Sequence, residues 1–475
     1  MKIIALALLV AASAWSIALA GEPHLPVGDP AYERLERLAA LGLINDGLLN
    51  ARPLGREAMA AMVHEARERA TGLSDPWIES DLRAVELRLA SLGSWRDPVT
   101  DARYASGDGG PVPVGLERRG DRLESGGNAR LGVEVGATIR SWLAVGYQPE
   151  IRYPVGPEND LDVATRSAYA VLEGWGLALT AGRESLWWGP GFRGSLLLTD
   201  NAPPFDLLRI EAAQPWRVPW IGPMSAHVFV TRLEAGYADI PNPYLAGVRL
   251  AFRPHPLLEF GLARTALFGG EGRPVDAGLL WDVIRARGEN NPGNNPGNQL
   301  AAADITVRIP WKVQPLTVYG ELGGEDEANG LPSHPGSVIG LYLPTVLNRP
   351  QWEVRAEWAD NTWAHVPGIW YQHSLYPYRY KGFVIGHPMG TDARMLSGEL
   401  AYRPTTSVRV SLLYDEFQDE VFGPAERSAR SPGAKIDYQR GPDTVAVQYR
   451  YFREEDPASA STSGHTVDLT YQRVW

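Results

Sequence analysis

Apolar and polar residues alternate in short stretches over most of the chain from about residue 102 onward. Residues 351–358, Gln-Trp-Glu-Val-Arg-Ala-Glu-Trp, alternate without a break, and residues 407–412 do the same. This period of two predicts β-strands with one apolar and one polar face. The polar faces are unusually charged and no strand is apolar on both faces. The pattern therefore favours an all-β transmembrane barrel, with lipid outside and a polar lumen inside, over a soluble sandwich.

The last strand carries the most specific form of this pattern. In residues 465–475, valine, leucine, tyrosine and the final tryptophan fall on one face, and threonine, aspartate and glutamine fall on the other. A one-sided strand that closes on Trp475 is typical of the C-terminal signal of bacterial outer-membrane barrels. We therefore expect contact with outer-membrane lipid and recognition of Trp475 by the barrel-insertion machinery.

The connections between the alternating segments are short and long in turn. Counting back from Trp475, residues 417–434 form a long connection and residues 403–406 a short one. Bacterial barrels have short turns at the periplasmic rim and longer loops outside. Continued to the start of the pattern, this alternation predicts about 18 antiparallel strands within residues 101–475.

The strand count rests on two further predictions. Residues 360–394 must form one long excursion rather than two additional strands. One extra strand must lie between residues 101 and 124, to bring the chain up from the periplasmic side. The total is then even, as it is in bacterial barrels.

The N-terminus predicts export. Lys2 precedes an apolar run over residues 3–10, and the segment closes on Ala18-Leu19-Ala20. A basic start, an apolar centre and a small-residue cleavage site are typical of a signal peptide, here residues 1–20. The alternative, a single membrane anchor, is weaker because Ser13 and Ser16 interrupt the apolar run and the stretch is short for a spanning helix.

Residues 25–96, here called the helical unit, have a different period. Apolar residues at helical spacing predict helices over residues 32–43, 56–70 and 81–92, the last of them after Asp75-Pro76. Two interpretations stay open for this unit. It is either a separate periplasmic module or a plug at the mouth of the barrel.

Composition narrows the functional classes. The formal net charge of −11 argues against a nucleic-acid partner, and the absence of cysteine excludes disulfides and thiolate metal sites. The nine histidines are scattered, with none of the close pairs of a zinc site, so we expect no metal and no cofactor. The 16 tryptophans and 19 tyrosines suit the aromatic girdles of a membrane barrel, and a sugar-binding protein shows the same bias.

Two segments differ from ordinary loops. Residues 182–205 include Trp-Trp-Gly-Pro-Gly and Asp-Asn-Ala-Pro-Pro, and residues 378–393 include Lys-Gly, Gly-His and Gly-Thr-Asp. Together with the helical unit, the barrel pattern and the terminal aromatic residue, they resemble the capsule-assembly Wzi family. The resemblance implies an outer-membrane barrel of 18 strands with a periplasmic helical bundle. It also implies a lectin that helps to organise capsular polysaccharide at the cell surface.

Eight residues in these two segments are candidates for polysaccharide binding. Trp187 and Trp188 offer flat aromatic faces for the C–H faces of sugars, and the charged and polar side chains can bind hydroxyls or acidic groups. The alternative for the tryptophan pair is a girdle or a packing anchor that holds the loop in the lumen. The candidates are Trp187, Trp188, Arg193, Asp200, Asn201, Lys381, His387 and Asp392.

Three functions follow from these observations. The first is a non-enzymatic lectin that attaches polysaccharide to the cell surface. The second is a porin or polysaccharide diffusion channel, because large barrels commonly have open lumens. The third is a carbohydrate-active enzyme, which needs two carboxyl groups flanking one bond. The sequence nominates no such pair, because Glu353 and Glu357 on a lumen wall are expected to pair with Arg355 and Arg409.

Overall fold

In the computed structural model, the alternating segments form antiparallel strands that close into a barrel. The structure describes residues 22–94, 96, 98–107, 119–121, 126–155, 160–234, 240–285, 297–325, 327–328, 331–422, 426–457 and 461–475. The predicted signal peptide lies outside these residues. Within them the barrel has 18 strands, which confirms the predicted fold class and count. In chain order the strands are β1 Val99–Gly107, β2 Gly126–Arg140, β3 Leu143–Val155, β4 Asp160–Gly174, β5 Leu177–Glu184, β6 Phe205–Ala212, β7 Gly222–Arg232, β8 Tyr244–His255, β9 Leu258–Phe268, β10 Gly297–Ile309, β11 Leu316–Glu325, β12 Pro335–Leu343, β13 Trp352–Asp360, β14 Arg394–Thr405, β15 Val408–Asp419, β16 Arg427–Arg440, β17 Asp443–Glu455 and β18 Thr462–Val474.

The barrel closes between its first and last strands. β18 pairs antiparallel with β1, and Val474 lies opposite Val99. The short segment Trp216–Val218 continues the wall next to β6 and pairs with β7. A closed wall has no free edge, so every strand finds backbone hydrogen-bond partners on both sides.

The two faces of the wall follow the sequence pattern. On β18, Val467 and Leu469 are exposed on the outside of the barrel. On β13, Glu353 and Glu357 point inward and are buried. Successive side chains of a strand alternate between the faces, so the charged residues line the lumen and the apolar residues form the surface that faces lipid.

The predicted connections are mostly correct. Residues 361–393 form one excursion, which contains only a two-residue hairpin between Arg379–Tyr380 and Phe383–Val384. β1 supplies the extra strand. The connection after β9 differs from the prediction because it contains a helix, Ala277–Arg285. Leu279, Leu280, Val283 and Ile284 stand at helical spacing in this segment, a signal that the sequence analysis did not use.

Three further helices make up most of the helical unit: α1 Ala31–Ala40, α2 Arg56–Ala70 and α3 Pro76–Ser91. The helix Ala277–Arg285 after β9 is called α4. The bounds of α2 match the prediction, whereas α3 starts five residues before the predicted position. The Asp75 carboxylate accepts hydrogen bonds from the backbone N–H groups of Trp77 and Ile78, at 2.8 and 3.3 Å, and so caps the helix there. Among the described residues, no helix is long and apolar enough to cross a membrane.

The helix α1, in contrast to α3, is shorter than predicted. It ends at Ala40 because Gly42 adopts a positive φ of 79° and donates its N–H to the carbonyl of Ala39. A glycine in this conformation commonly ends a helix. The three helices enclose their own apolar core, in which Leu35, Met59 and Leu82 are fully buried.

The helical unit contacts the barrel at the end where the short turns lie. Arg37 donates from Nη2 to the carbonyl of Pro350 at 3.1 Å, and Ser80 donates to the carbonyl of Thr406 at 3.1 Å. Arg88 donates from Nη2 to both carboxylate oxygens of Glu134 of β2, at 2.6 and 2.8 Å. The unit is therefore held to the inner wall by charged hydrogen bonds, which are the strong class.

Candidate functional site

The loop between β5 and β6, residues 185–204, folds back into the barrel. Trp187–Trp188 pairs antiparallel with Ala51–Arg52 of the helical unit. The N–H of Gly189 donates to the carbonyl of Asn50 at 2.8 Å. A loop that leaves the wall at the long-loop end therefore meets, inside the lumen, a segment that enters from the short-turn end.

Both tryptophans of this loop are buried. Trp188 is 1% exposed and packs edge-on against Phe229, with ring centroids 5.3 Å apart. Gly247 of β8 makes room for the indole, because a Cβ at that position would lie 3.0 Å from its ring. Trp187 donates from its indole N–H to the carbonyl of Gly189 at 3.2 Å. This geometry is that of a packing anchor.

Two carboxylates of the lumen wall hold the backbone of the same loop. Glu321 of β11 accepts hydrogen bonds from the Ser195 hydroxyl at 2.6 Å and from the Leu196 N–H at 3.0 Å. Glu357 of β13 accepts from the N–H groups of Phe192 and Arg193. A buried loop must have its polar groups satisfied, and these inward carboxylates do so.

The prediction that Glu353 and Glu357 pair with Arg355 and Arg409 is only partly correct. Glu353 lies 2.6 Å from Arg403 and 3.8 Å from Arg409. Glu357 instead binds the loop and accepts the Tyr319 hydroxyl at 2.8 Å. The sequence shows that these positions face the lumen, but not that a loop supplies their partners.

Arg193 and Asp200 lie at the edge of a cavity in the lumen. Arg193 makes a two-pronged contact with Asp415 of β15, at 3.1 and 3.0 Å. Arg193 and Asp200 both line a cavity of about 460 Å³, between the helical unit and the wall formed by β14–β18 and β1–β4. Its lining mixes both signs of charge, including Arg409 and Asp468.

Residues 182–205 are here called the first motif and residues 378–393 the second motif. His387 is fully buried in the second motif. Its Nδ1 accepts the N–H of Met389 at 3.1 Å, and Gly194 of the first motif packs against its ring. Burial lowers the pKa of His387 to about 3, so the imidazole is neutral at physiological pH. A neutral, enclosed histidine stabilises the packing of the two motifs and is shielded from solvent.

Asn201 contacts, and Lys381 belongs to, the hairpin of Arg379–Tyr380 and Phe383–Val384 at the long-loop end. Asn201 donates from Nδ2 to the carbonyl of Val384 at 2.8 Å. Lys381 forms an ion pair with Glu234 at 2.9 Å, and its side chain is partly exposed. The half-buried Arg379, which the sequence analysis did not select, precedes Lys381 on the same hairpin.

Asp392 lies apart from this pair. Its carboxylate accepts the N–H of Gly368 at 2.8 and 3.0 Å, and its own backbone carbonyl accepts the N–H of Val421. Burial raises the pKa of Asp392, while the Gly368 hydrogen bond opposes that rise. Asp392 therefore ties two parts of the excursion and the β15–β16 connection together.

The structure thus brings the two predicted motifs into contact but spreads their eight candidates over three environments. The contact itself is direct, because Thr199 donates its hydroxyl to the carbonyl of Gly386 at 2.7 Å. Trp187 and Trp188 are buried against the wall and the helical unit, and His387 is buried where the two motifs pack together. Arg193 and Asp200 face the cavity, and the remaining three lie toward the long-loop end.

Comparison with known proteins gives one family. Residues 116–467, most of the chain, match the family described as capsule assembly protein Wzi. The chain belongs to the capsule assembly Wzi family. It is also 36% identical over 172 residues to an uncharacterized 55.8 kDa protein in the cps region of Klebsiella pneumoniae. That match covers 35% of this chain and 34% of the relative, so the chain spans about a third of the length of the curated relative it matches.

A solved structure shares the fold. It is that of Wzi from Escherichia coli, described as an outer membrane protein involved in group 1 capsule assembly and as a carbohydrate-binding β-barrel. The TM-score is 0.75 at 21% identity, and the match covers 94% of this chain and 98% of that one. At this level of identity the comparison establishes the shared barrel architecture.

Proposed function

We propose that this protein is a lectin-like outer-membrane barrel that binds capsular or extracellular polysaccharide and helps to assemble or attach it at the cell surface. The observation that carries the proposal is the match to the capsule assembly Wzi family over residues 116–467. The carbohydrate-binding description of the E. coli barrel of the same fold supports it. We propose a binding role rather than a catalytic one.

The outer membrane is the location of this barrel. A closed wall with an apolar exterior satisfies its backbone groups internally and faces hydrocarbon. Trp475 ends the last strand, where its indole N–H donates to the hydroxyl of Thr100 at 3.1 Å and its ring is exposed. We further propose that the barrel-insertion machinery recognises this exposed terminal residue and that membrane lipid surrounds the wall.

For the domains, we propose a signal peptide over residues 1–20, a periplasmic plug over residues 25–96 and the barrel over residues 101–475. The contacts of the helical unit support the plug. Asp81 of α3 accepts hydrogen bonds from Arg34 and Arg37 of the unit and from Arg403 of the wall. An isolated module would not need such buried links to the barrel.

Closure of the lumen favours the lectin over the porin. The Trp187–Trp188 segment and the Ala51–Arg52 segment meet inside the barrel and are joined by backbone hydrogen bonds. Wall carboxylates hold the loop from the side, as Glu321 and Glu357 show. A diffusion channel needs a continuous water-filled path, and two anchored obstructions oppose it.

We propose that the polysaccharide contacts lie at the long-loop end, where Lys381, Asn201, Arg379 and Asp392 are at least partly accessible. Charged and amide groups of this kind can bind sugar hydroxyls and acidic sugars. Trp187 and Trp188 act indirectly in this proposal, by anchoring the first motif to the wall and the helical unit. His387 acts indirectly by packing the second motif against the first. Arg193 and Asp200 couple the same loop to the cavity wall.

The lectin proposal is tested by measuring how strongly the protein is retained on immobilised polysaccharide. Purified protein in detergent is passed over immobilised extracellular polysaccharide from the producing organism, with an unrelated neutral polymer as the control. We expect selective retention on the first polymer. Equal retention on both, or on neither, would contradict the lectin proposal.

The tryptophan pair gives a second arm. The double variant Trp187→Ala, Trp188→Ala is expected to insert as a barrel but to bind polymer more weakly, because its loop loses its anchor. Unchanged binding in a correctly inserted double variant would show that polymer binding does not depend on the anchored loop. Planar-bilayer recordings distinguish the porin from the lectin. A steady open-channel current from the full mature protein would favour the porin.

A further inference from the structure

The helix α4, Ala277–Arg285, lies against the outside of the barrel wall. Phe268 of β9 is on the outward face of its strand but is only 5% exposed, whereas Leu262 on the same face is 51% exposed. Val283 of α4 packs on Phe268 and on Ala266, and these three residues form one apolar cluster. Outward residues of a strand can be covered only by something outside the wall. The helix therefore covers the exterior of β9 near its long-loop end.

An outward arginine of the wall holds this helix in place. Arg264 of β9 donates from Nη1 to the carbonyl of Ile284 at 2.9 Å and from Nη2 to the carbonyl of Val283. The last carbonyls of a helix lack partners within the helix, and a cation at that end is favourable. At the other end, the Asp276 carboxylate accepts the N–H of Leu279 at 2.8 Å. Both helix ends are thus satisfied by neighbouring side chains.

The face of α4 that points away from the wall is apolar. Leu280, Trp281 and Ile284 are all exposed, Ile284 to 64%. Arg285 places its guanidinium 4.2 Å from the centre of the Trp281 ring. A tryptophan beside a long basic side chain is typical of the membrane–water interface, where the ring meets apolar chains and the charge reaches the polar surface.

We propose that α4 is an interfacial helix whose exposed face lies in the acyl chains of the outer leaflet. Lipid is the occupant because the face is continuous with the lipid-facing wall, where Val248, Leu250 and Leu262 are exposed on the adjoining parts of β8 and β9. The position at the long-loop end places the helix at the outer rim of that band. An apolar helix lying flat at a bilayer surface gains its binding energy from the area it buries.

This helix also supports the proposed saccharide surface. Just before α4, Arg273 donates from Nη1 to the Tyr376 hydroxyl at 3.2 Å, and that hydroxyl donates to the carbonyl of Gly269 at 3.0 Å. Tyr376 belongs to the excursion of residues 361–393. The excursion is therefore tied to a segment that the membrane itself holds.

The chain contains no cysteine, so single-cysteine variants can be labelled without background. Ile284→Cys and Trp281→Cys, each carrying a fluorescent label, are reconstituted as full-length protein in vesicles of phospholipids brominated on their acyl chains. We expect brominated lipid to quench both labels and aqueous iodide to leave them bright. Leu262→Cys on the wall is the lipid-exposed control, and Leu73→Cys on the helical unit is the water-exposed control.

Two results would overturn the proposal. Quenching of both α4 labels by iodide, with no loss of fluorescence in brominated vesicles, would place the helix in water. Oxidative cross-linking of Ile284→Cys copies into dimers, with the label shielded from both quenchers, would make a second copy of the chain the occupant. Because the two positions are tested separately, a folding defect in one variant leaves the other to decide.

Discussion

The two sides of the lumen are built by the same alternation, yet they serve different purposes. On the side of β6–β12, inward residues toward the long-loop end are apolar, as Leu207, Phe229 and Leu245 show, and the Trp188 loop packs on them. On the side of β14–β18 and β1–β4, inward residues such as Arg409 and Asp468 line a cavity. In this barrel, apolar residues on the inner face mark the place where the loop docks.

The energetic basis of the two sides differs as well. The packed side gains from burial of large apolar groups, which is proportional to the area removed from water. The cavity side is held by ion pairs between neighbouring strands and the helical unit, which depend on pH and on having every partner present. Variants on each side should therefore fail in different ways.

The largest effect is expected from Trp188→Ala on the packed side. Removing a fully buried aromatic side chain costs about 3–5 kcal/mol and should release the loop from the wall. We expect a lower melting temperature in detergent and new ion conductance in planar bilayers. The control is Trp220→Ala, because Trp220 lies at a turn and is 97% exposed. A closed, fully stable Trp188→Ala barrel would contradict the anchoring role.

The second effect concerns the cavity side and the helical unit. Asp81→Ala removes the buried acceptor of Arg34, Arg37 and Arg403, and breaking such a group costs about 3–5 kcal/mol. We expect the helical unit to become sensitive to limited proteolysis while the strands stay protected. The matched control on α3 is Glu79→Ala, whose partners are exposed and contribute about 0–1 kcal/mol.

The same aspartate predicts a pH dependence. Burial acts to raise the pKa of Asp81, but Arg403, Arg37 and Arg34 outweigh it and hold that pKa well below its ordinary value. A depressed pKa in the folded state stabilises docking above the unfolded pKa of about 4, and this stabilisation is lost as the pH falls further. Proteolysis of the unit should therefore increase in strong acid with the native chain, and Asp81→Ala should reduce that difference.

A smaller effect is expected from Glu357→Leu. The substitution leaves the N–H groups of Phe192 and Arg193 and the Tyr319 hydroxyl without their acceptor, at a cost of about 1–3 kcal/mol. Loop mobility should rise, as measured by protease cleavage within residues 185–204. Glu416→Leu is the control, because its pair with the exposed Arg430 is a surface contact. Equal cleavage in the two variants would argue against a holding role for Glu357.

The smallest effect is expected at the proposed saccharide surface. Lys381→Ala removes one charged hydrogen-bond donor, and we expect polymer retention to fall by about 2- to 10-fold with no change in melting temperature. Lys312→Ala, at the opposite rim between β10 and β11, is the matched control. Unchanged retention of Lys381→Ala would contradict a contact between Lys381 and the polymer.

The architecture could be predicted because it depends on local patterns. Alternation on β13 and β18, the lengths of the connections and the helical spacing in residues 56–70 each leave a direct trace in the chain. The site could be predicted only in part. The motifs around Trp188 and His387 stand out by composition, but composition does not show whether an aromatic ring faces sugar or packs inside.

Three features were decided by the tertiary structure alone. The indole of Trp188 is buried because Gly247 and Phe229 of distant strands form its pocket. Glu357 binds the backbone of the loop of residues 185–204 rather than an arginine, because this loop enters the lumen at the level of Glu357. The helix α4 lies outside the wall because Phe268 and Arg264 offer it an apolar surface and a cap. Periodicity along a chain specifies which face a residue takes, whereas its partner across the lumen depends on how the wall closes.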